Sequence, residues 1–192
     1  DQQPSRYRKK VKDGSSATTD KLYRNDWNEE LGHPTFTDVG LAAGILTEGF
    51  SLGVNICDLN QDGWKDIYIT NDYLSNDLLY INNQDGTFTN QADLYFKHTS
   101  FSAMGNDVMD LDNDGHSEII ALDMLPKDNY RRKTMMPPNK YVDYLNNEKY
   151  RYQFQSMRNT LQANSGIDAV QDSQAMFNDV GLMAGIAATD WS

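Results

Sequence analysis

The chain has 192 residues, of which 39% are hydrophobic and 11% aromatic, and it carries a net charge of -11. That length and apolar content suffice for a domain with a real core. The acidic balance argues against a nucleic-acid-binding protein, which needs a basic stripe. No apolar run approaches the roughly 18 residues of a membrane-spanning helix, and the single cysteine, Cys57, excludes an internal disulfide.

Residues 1–19 are polar and show no apolar periodicity. A segment of this composition cannot bury enough apolar surface to offset the entropy of ordering it. The sequence therefore predicts a flexible polar arm or linker at 1–19, and a folded region over 20–192.

The folded region repeats itself. Thr35-Phe36-Thr37 recurs as Thr87-Phe88-Thr89, and Asp58 recurs as Asp110, both at a shift of 52 positions. A fixed period of this length is the signature of a repeat architecture. A further copy begins at Phe177, where the ten residues from Phe36 return almost unchanged. We therefore place repeat units at about 36–87 and 88–176, with a third unit starting at 177.

The second unit is longer than the first because about 126–156 is an insertion with several tyrosines. Residues 141–150 could form a short helix, since Tyr141, Tyr144 and Leu145 share a helical face. Two interpretations of the tyrosines remain open at this stage. They could pack on the repeat scaffold, or they could form a binding surface, as loops on rigid scaffolds often do. The tyrosines in question are Tyr130, Tyr141, Tyr144, Tyr150 and Tyr152.

Within a unit the local signals are those of β-strands. Segments 51–57, 66–70 and 77–81 are bounded by Asn, Asp and Gly, and Asp85-Gly86 is typical of a hairpin turn before the next strand. About four antiparallel strands per unit suit a β-propeller blade. A two-sheet sandwich is the alternative, although it would not explain why the same loop returns in each unit. The predicted fold is all-β, a β-propeller fragment of about two complete four-stranded blades plus partial flanking blades, with a loop/helix insertion.

Two nine-residue stretches, Asp58–Asp66 and Asp110–Glu118, carry side-chain oxygens at positions 1, 3, 5 and 9 and a glycine at position 6. Such a loop can wrap a hard cation, and calcium takes about 6–8 oxygen ligands. Position 7 would offer only its backbone carbonyl. The sequence predicts two Ca²⁺ sites, with ligands Asp58, Asn60, Asp62, Trp64 and Asp66 in the first loop and Asp110, Asp112, Asp114, His116 and Glu118 in the second.

Two other interpretations of these loops are an EF-hand and a turn that binds no metal. An EF-hand places a bidentate glutamate at position 12, but that position is Ile69 or Ala121 in strand-like runs. Asp and Asn also favour turns without any metal. Three converging carboxylates would repel one another without a cation, which favours a metal site. Calcium is preferred to magnesium because a flexible oxygen-only shell suits the larger ion.

The repeats resemble FG-GAP/VCBS repeats, the integrin α-chain type of propeller blade, whose calcium loops read Asp-x-[Asp/Asn]-x-Asp-Gly-x-x-Asp. Glu118 departs from the usual Asp at position 9. Asn71-Asp72-Tyr73, Leu79–Asn82, Asp85–Phe88 and Asp123–Pro126 look closer still to bacterial surface proteins that pair such repeats with an ASPIC/UnbV domain. The resemblance covers about residues 20–192. It implies a seven-bladed, calcium-stabilised propeller that is exported and used in adhesion or ligand capture.

The predicted function is therefore a non-catalytic, calcium-binding propeller module at the cell surface, extracellular or on a bacterial outer membrane, which binds a protein or glycan through its loops. It would bind no nucleic acid and have no membrane-spanning segment. A third loop is expected at about position 199, so the remaining blades would lie elsewhere in a longer chain. The alternatives are a scaffold for another domain or part of a propeller enzyme, a hydrolase or lyase. For an enzyme the candidate residues are His33, His98 and His116.

Overall fold

The computed structural model describes residues 7–73, 75–134, 141–168 and 174–189. This part of the chain is built mainly from β-strands and contains three short helices. The strands are β1 Tyr23–Asn28, β2 His33–Asp38, β3 Ser51–Cys57, β4 Asp66–Asn71, β5 Leu78–Asn82, β6 Phe88–Asn90, β7 Thr99–Ser100, β8 Ala103–Met109, β9 Glu118–Asp123, β10 Gln155–Ser156, β11 Thr160–Asp168 and β12 Gln174–Asp179. The helices are α1 Ala92–Tyr95, α2 Asn129–Thr134 and α3 Tyr141–Tyr150.

The first complete blade is an antiparallel meander in the order β3-β4-β5-β6. Ile69 pairs with Val54 on one side and with Leu78 on the other, so β4 is a central strand. A turn over residues 83–87 joins β5 to β6, with the Asn83 N–H donating to the Thr87 carbonyl at 2.9 Å. Gly86 takes a φ of +87° in that turn, which side chains other than glycine adopt only at a cost.

The second blade repeats this architecture in the order β8-β9-β11-β12. Its third strand, β11, follows β9 in space although the insertion separates them in sequence. β8 lies beside β3, and Asn55 Nδ2 donates to Asn106 Oδ1 at 3.3 Å between the two strands. The prediction of an all-β propeller fragment with two four-stranded blades is confirmed.

A hairpin of β1 and β2 precedes the first blade, pairing Asn25 with Phe36. These strands correspond to the last two strands of a blade, because β2 carries the Thr35-Phe36-Thr37 that recurs at β6. Each predicted repeat unit therefore starts with the last strand of the preceding sheet. The observed sheets span 51–90 and 103–179.

The core lies on both faces of the first blade, because alternate residues of a strand point to opposite sides. Tyr68 and Leu79 face a cluster that Phe96, Ile119 and Phe177 complete toward the second blade. A second cluster on the opposite face packs the first blade against the β1–β2 side, and consists of Ile45, Ile69, Leu78 and Tyr80 with Leu22, Ile67 and Phe88 at its edge. β4 and β5 are therefore almost continuously buried along their length.

A buried amide–carboxylate pair closes the loop between the second and third strands of each blade. In the first blade the Asn71 N–H donates to Asp77 Oδ1 at 3.1 Å. In the second, the Asp123 N–H donates to Asn159 Oδ1 at 2.7 Å. The asparagine comes first and the aspartate second in the first blade, and this order is reversed in the second blade. All four residues are at most 2% exposed, so each pair satisfies backbone groups that water cannot reach.

The described part of the predicted arm, 7–19, lies against the first blade. Arg8 forms a two-pronged ion pair with Glu48, with N–O distances of 2.7 and 2.5 Å. The Val11 N–H also donates to Glu48 Oε1 at 2.7 Å. Lys10 Nζ donates to Asn76 Oδ1 at 2.6 Å. Polar contacts therefore attach a segment that has few apolar residues of its own.

The insertion contains α2 and α3 and returns to the sheet through β10, which pairs in parallel with β7. The predicted helix at 141–150 is confirmed as α3. Its tyrosines divide between the two interpretations left open above. Tyr152, just beyond the helix, is 9% exposed, whereas Tyr141 and Tyr144 are 73% and 46% exposed. No helix in the described ranges is long and apolar enough to span a bilayer.

Candidate metal centre

The two predicted loops occupy the same place in both blades. The first connects β3 to β4 and the second connects β8 to β9. Their backbones bend alike: φ is +57° at Gln61 and +61° at Asn113, and +89° at Gly63 and +91° at Gly115. No atom lies within 4 Å of a Cβ built at either glycine. The glycines are therefore required by the positive φ and not by close packing.

The same hydrogen bonds organise both loops. In the first, Asp58 accepts the backbone N–H groups of Asp62 and Gly63 at 3.1 and 2.9 Å. In the second, Asp110 accepts those of Asp114 and Gly115 at 3.2 and 3.0 Å. The position-5 carboxylate accepts the N–H of position 7 at 2.8 Å in each case. A 52-residue repeat in sequence is thus a repeat in geometry.

The second loop gathers its carboxylates. One oxygen each of Asp110, Asp112 and Glu118 lie within 4.8 Å of one another. Asp110 and Asp112 are exposed, whereas Glu118 is buried, with 4% of its surface accessible. Three carboxylate oxygens at this spacing form one side of a shell that a hard, oxygen-preferring cation can occupy. The residues present therefore fit a divalent cation.

The first loop does not gather its carboxylates in the same way: Asp58, Asp62 and Asp66 are absent from the described groups that converge to this distance. The difference begins at position 9. Asp66 is fully buried, and its two oxygens accept the N–H groups of Leu59 and Asn82, both at 3.0 Å. Its shorter side chain is thus held by the backbone on both oxygens.

Glu118 is held differently. The Leu111 N–H donates to Glu118 Oε2 at 2.7 Å, which is the counterpart of the Leu59 bond in the first loop. The additional methylene of glutamate lets the carboxylate keep this backbone bond and still reach Asp110 and Asp112. The departure from the family pattern at position 9 therefore coincides with the loop whose carboxylates converge.

Burial raises the pKa of Asp66, the hydrogen bonds from Asn82 and Leu59 oppose this, and the charges of Asp62 and Asp58 raise it further. The net shift is upward, because a buried carboxylate beside two others loses solvation and gains repulsion. Tyr95 shares this environment: burial raises its pKa to about 12, with Asp66 and Asp62 adding to the effect. A cation in the loop would reverse the repulsive part of the shift.

Comparison with known families agrees with the repeat. A family model described as an FG-GAP-like repeat matches residues 58–121. These residues run from the first position of the first loop, through the whole second loop, into β9. The chain carries an FG-GAP-like repeat. A search of curated proteins found no matching relative.

Two contacts of the first loop of the FG-GAP-like repeat were not indicated by the sequence, one with the second loop and one with the turn between β5 and β6. Gln61 Nε2 donates to the Gly115 carbonyl at 2.6 Å and so joins the first loop to the second. Gln84, in the turn between β5 and β6, donates to Asp62 Oδ2 at 3.2 Å. Both glutamines lie at positive φ, +57° and +66°. That conformation cannot be read from a glutamine in sequence.

The remaining predicted ligands, Trp64 and His116, were expected to offer backbone carbonyls only. The side chain of Trp64 is 47% exposed, which places it outside the core. The imidazole of His116 lies beside Gly166, where an added Cβ would be 3.0 Å from Nε2. The side-chain positions do not test whether the backbone carbonyls of Trp64 and His116 bind a cation, so that role stays a prediction.

The candidate catalytic histidines lie apart from the loops, except for His116. His98 Nε2 is 3.1 Å from Asp179 Oδ2, a pairing between distant positions that the sequence did not suggest. Arg158 pairs with the same Asp179 oxygen at 2.5 Å. His33 Nδ1 contacts the carbonyl of Pro34 at 2.9 Å. Among the described residues, no serine, threonine or cysteine side chain is hydrogen-bonded to the His98 imidazole.

Proposed function

We propose that this FG-GAP-like propeller fragment is a calcium-binding, non-enzymatic module that binds a protein or glycan outside the cell. The observation that carries the proposal is the convergence of Asp110, Asp112 and Glu118 within 4.8 Å in a loop that is repeated in the neighbouring blade. Each loop also has a carboxylate at position 5, and the predicted carbonyl ligand at position 7 would add to the oxygen shell.

Calcium is favoured over magnesium by the donor set. The predicted shell combines carboxylates with a backbone carbonyl on a bend of nine residues, and flexible shells of many oxygens suit Ca²⁺. Magnesium demands a near-ideal octahedron and keeps several of its waters. Two ions would offset four of the negative charges in a chain whose net charge is -11.

The ions would act on stability and on rigidity. Each loop is the connection between the first two strands of a blade, so a cation there would fix the β3–β4 and β8–β9 hairpins. Extracellular modules bind calcium at about 10⁻⁴–10⁻³ M. Loops that bind calcium in this range would be filled outside the cell and empty in cytosol, as expected of an exported protein.

The non-enzymatic assignment is supported by the surroundings of the histidines. His98 is held by Asp179, whose carboxylate is also paired with Arg158. His98 and Arg158 lie in loops, and their contacts with Asp179 at the end of β12 support a structural role for His98 and not that of a general base. The association of the repeats with an ASPIC/UnbV domain, and with a bacterial surface location, stays a prediction from the sequence.

Calcium titration by isothermal calorimetry, with and without competing magnesium, tests the proposal. The wild-type chain should bind two ions, and Asp112→Asn should weaken binding at the second loop by at least about tenfold because it removes one ligand charge. Asp107→Asn is the matched control, since Asp107 is an exposed carboxylate on β8 outside the loop. Absence of saturable calcium binding by the wild-type chain at about 10 mM would overturn the proposal.

A further inference from the structure

A cleft of about 290 Å³ lies between α3 and the chain that follows it, on the side of the blades opposite the calcium loops. It belongs to the insertion and to the start of the second blade, because β10 and β7 pair directly beside it. The side chains that matter for its chemistry are Phe101, Tyr141, Tyr144, Phe154, Asp143 and Asn147.

Asn147 is the most unusual member of this cleft. Its side chain is only 6% exposed, and its Oδ1 atom has no hydrogen-bond partner in the described part of the chain. A buried amide oxygen left without a donor carries a free-energy cost, because burial has removed its hydrogen bond to water. A group that supplies a donor on binding would recover that cost.

Aromatic rings form one wall. Tyr141, Tyr144 and Phe154 stack in a row, with centroid separations of 6.1 and 5.1 Å and interplanar angles of 10° and 15°. The three rings remain 73%, 46% and 41% exposed. Exposed large aromatic side chains grouped around a concavity are typical of binding sites, because burying their apolar surface against a ligand is favourable.

The charge at the cleft is negative. Asp143 lines it, and the hydroxyl of Tyr7 donates to Asp143 Oδ1 at 3.3 Å. Glu148 lies on the next turn of the helix and accepts the Tyr144 hydroxyl at 3.2 Å. None of the described residues that line the cleft is a lysine, arginine or histidine. The cleft thus combines π faces, a carboxylate and an unsatisfied acceptor.

We propose that this cleft binds a cationic N–H donor, a guanidinium or primary ammonium group such as an arginine or lysine side chain of a partner protein. The cation lies against a terminal ring of the aromatic row, Tyr141, donates to Asn147 Oδ1 and is drawn in by Asp143. Cation–π contacts and hydrogen bonds from charged donors both stabilise such a complex. The proposal goes beyond the calcium sites and rests on the proposed function only in assigning a binding role to the chain.

The cation is favoured over a neutral sugar by the carboxylate of Asp143, which attracts a charged donor and gives a neutral hydroxyl no such gain. A guanidinium or ammonium group only donates hydrogen bonds, so Asn147 Oδ1 and the Asp143 carboxylate both suit it as acceptors. The overall charge of -11 would also attract a cation over distance.

The test is an NMR titration of the ¹⁵N-labelled full chain at saturating calcium. The probes are N-acetyl-arginine amide and N-acetyl-lysine amide, with the neutral citrulline analogue and N-acetylglucosamine as comparators. The expected result is a saturable shift of the Asn147 side-chain amide with the cationic probes. The citrulline analogue should bind at least about tenfold more weakly, because it lacks the charge.

Two pairs of variants locate the site. Asn147→Leu should weaken binding of the cationic probes about tenfold, whereas Asn146→Leu, one position earlier on the same helix, should leave it within about twofold. Tyr141→Leu, which removes the terminal ring of the row, should weaken binding by a similar factor, and Tyr130→Leu, an exposed tyrosine on α2, should not. Thermal melts of each variant separate loss of the site from loss of the fold.

Three outcomes would overturn the proposal: no saturable shift with either cationic probe, equal binding of the citrulline analogue, or binding of N-acetylglucosamine in place of the cations. The last would make the cleft a glycan site. Repeating the titration in chelator separates this result from the calcium proposal. Loss of calcium binding with retained probe binding, or the reverse, identifies which of the two has failed.

Discussion

Asp66 and Glu118 occupy the ninth position of their loops and differ by one methylene. Both oxygens of Asp66 accept hydrogen bonds from backbone N–H groups. Glu118 accepts the Leu111 N–H through Oε2, and its carboxylate also lies close to those of Asp110 and Asp112. A single change of side-chain length thus decides whether the last carboxylate of a loop serves the backbone alone or also the ligand cluster.

Asp77 gives a prediction at the same scale. It is fully buried, and burial raises its pKa to about 7, although hydrogen bonds from the Asn71 N–H and the Tyr68 hydroxyl oppose the shift. The folded-state pKa lies above the unfolded value of about 3.9, so the stability that protonation gives is complete below about pH 4 and is lost as the pH rises toward about 7. Because asparagine does not ionise, Asp77→Asn should not show this loss of stability at higher pH.

We therefore expect the stability of Asp77→Asn, relative to wild type, to rise by about 1–3 kcal/mol between pH 4 and pH 8. The second blade already has an amide, Asn159, at this position, which shows that the geometry accepts one. Urea denaturation at several pH values measures the difference. Asp72→Asn, a partly exposed neighbour, is the control. A pH-independent difference for Asp77→Asn would contradict the assignment.

At the scale of elements, the loop after β2 is hydrogen-bonded to β6 of the first complete blade and packs closely against it. The Phe88 N–H donates to the Ala43 carbonyl at 2.8 Å. Gly44, at a φ of +83°, lies so close to β6 that an added Cβ would be 2.4 Å from the Phe88 carbonyl oxygen. The corresponding glycine of the last copy, Gly185, has a φ of +74° and nothing within 4 Å.

This difference predicts unequal costs for the same substitution. Gly185→Ala should cost about 1 kcal/mol, from the positive φ alone. Gly44→Ala should cost about 2–4 kcal/mol, because the methyl group also displaces β6 or the loop. Chemical denaturation of the two variants checks this. Equal losses would show that the loop and β6 are not packed as described.

Sequence reasoning located the elements better than their contacts. The strands from β3 to β6 and the helix α3 follow from alternation, turn residues and a helical face, which are local signals. The parallel pair of β7 and β10 could not be predicted, since two-residue strands leave no pattern and join distant parts of the chain. The attachment of residues 7–19 through Glu48 could not be predicted from the sequence for a related reason, since it depends on one carboxylate far away in the chain.

The candidate metal site divides in the same way. The ligand positions follow from the spacing of oxygens and the glycine at position 6. The convergence of Asp110, Asp112 and Glu118 does not, because it depends on which backbone groups occupy each carboxylate. The Gln61–Gly115 bond between the loops also depends on the packing of two blades, and no local signal marks it.

On the scale of the whole molecule, the first blade is buried on both faces by separate hydrophobic clusters. The acidic loops and the aromatic cleft lie at opposite ends of the strands, and the core between them connects the two. Calcium in the loops would therefore stabilise a scaffold whose other end presents the insertion. The central claim is that these loops hold calcium and that the fold depends on it.

Thermal unfolding of the full chain in about 1 mM calcium and in excess chelator tests this claim most directly. At extracellular-type affinities and about 1 mM calcium each filled site adds about 0.4–1.4 kcal/mol, which predicts a Tm about 2–11 °C higher in calcium for two sites. The double variant Asp58→Asn/Asp110→Asn should lose most of that difference, and magnesium should not replace calcium. A wild-type Tm that is the same within about 1 °C in calcium and in chelator would contradict the account.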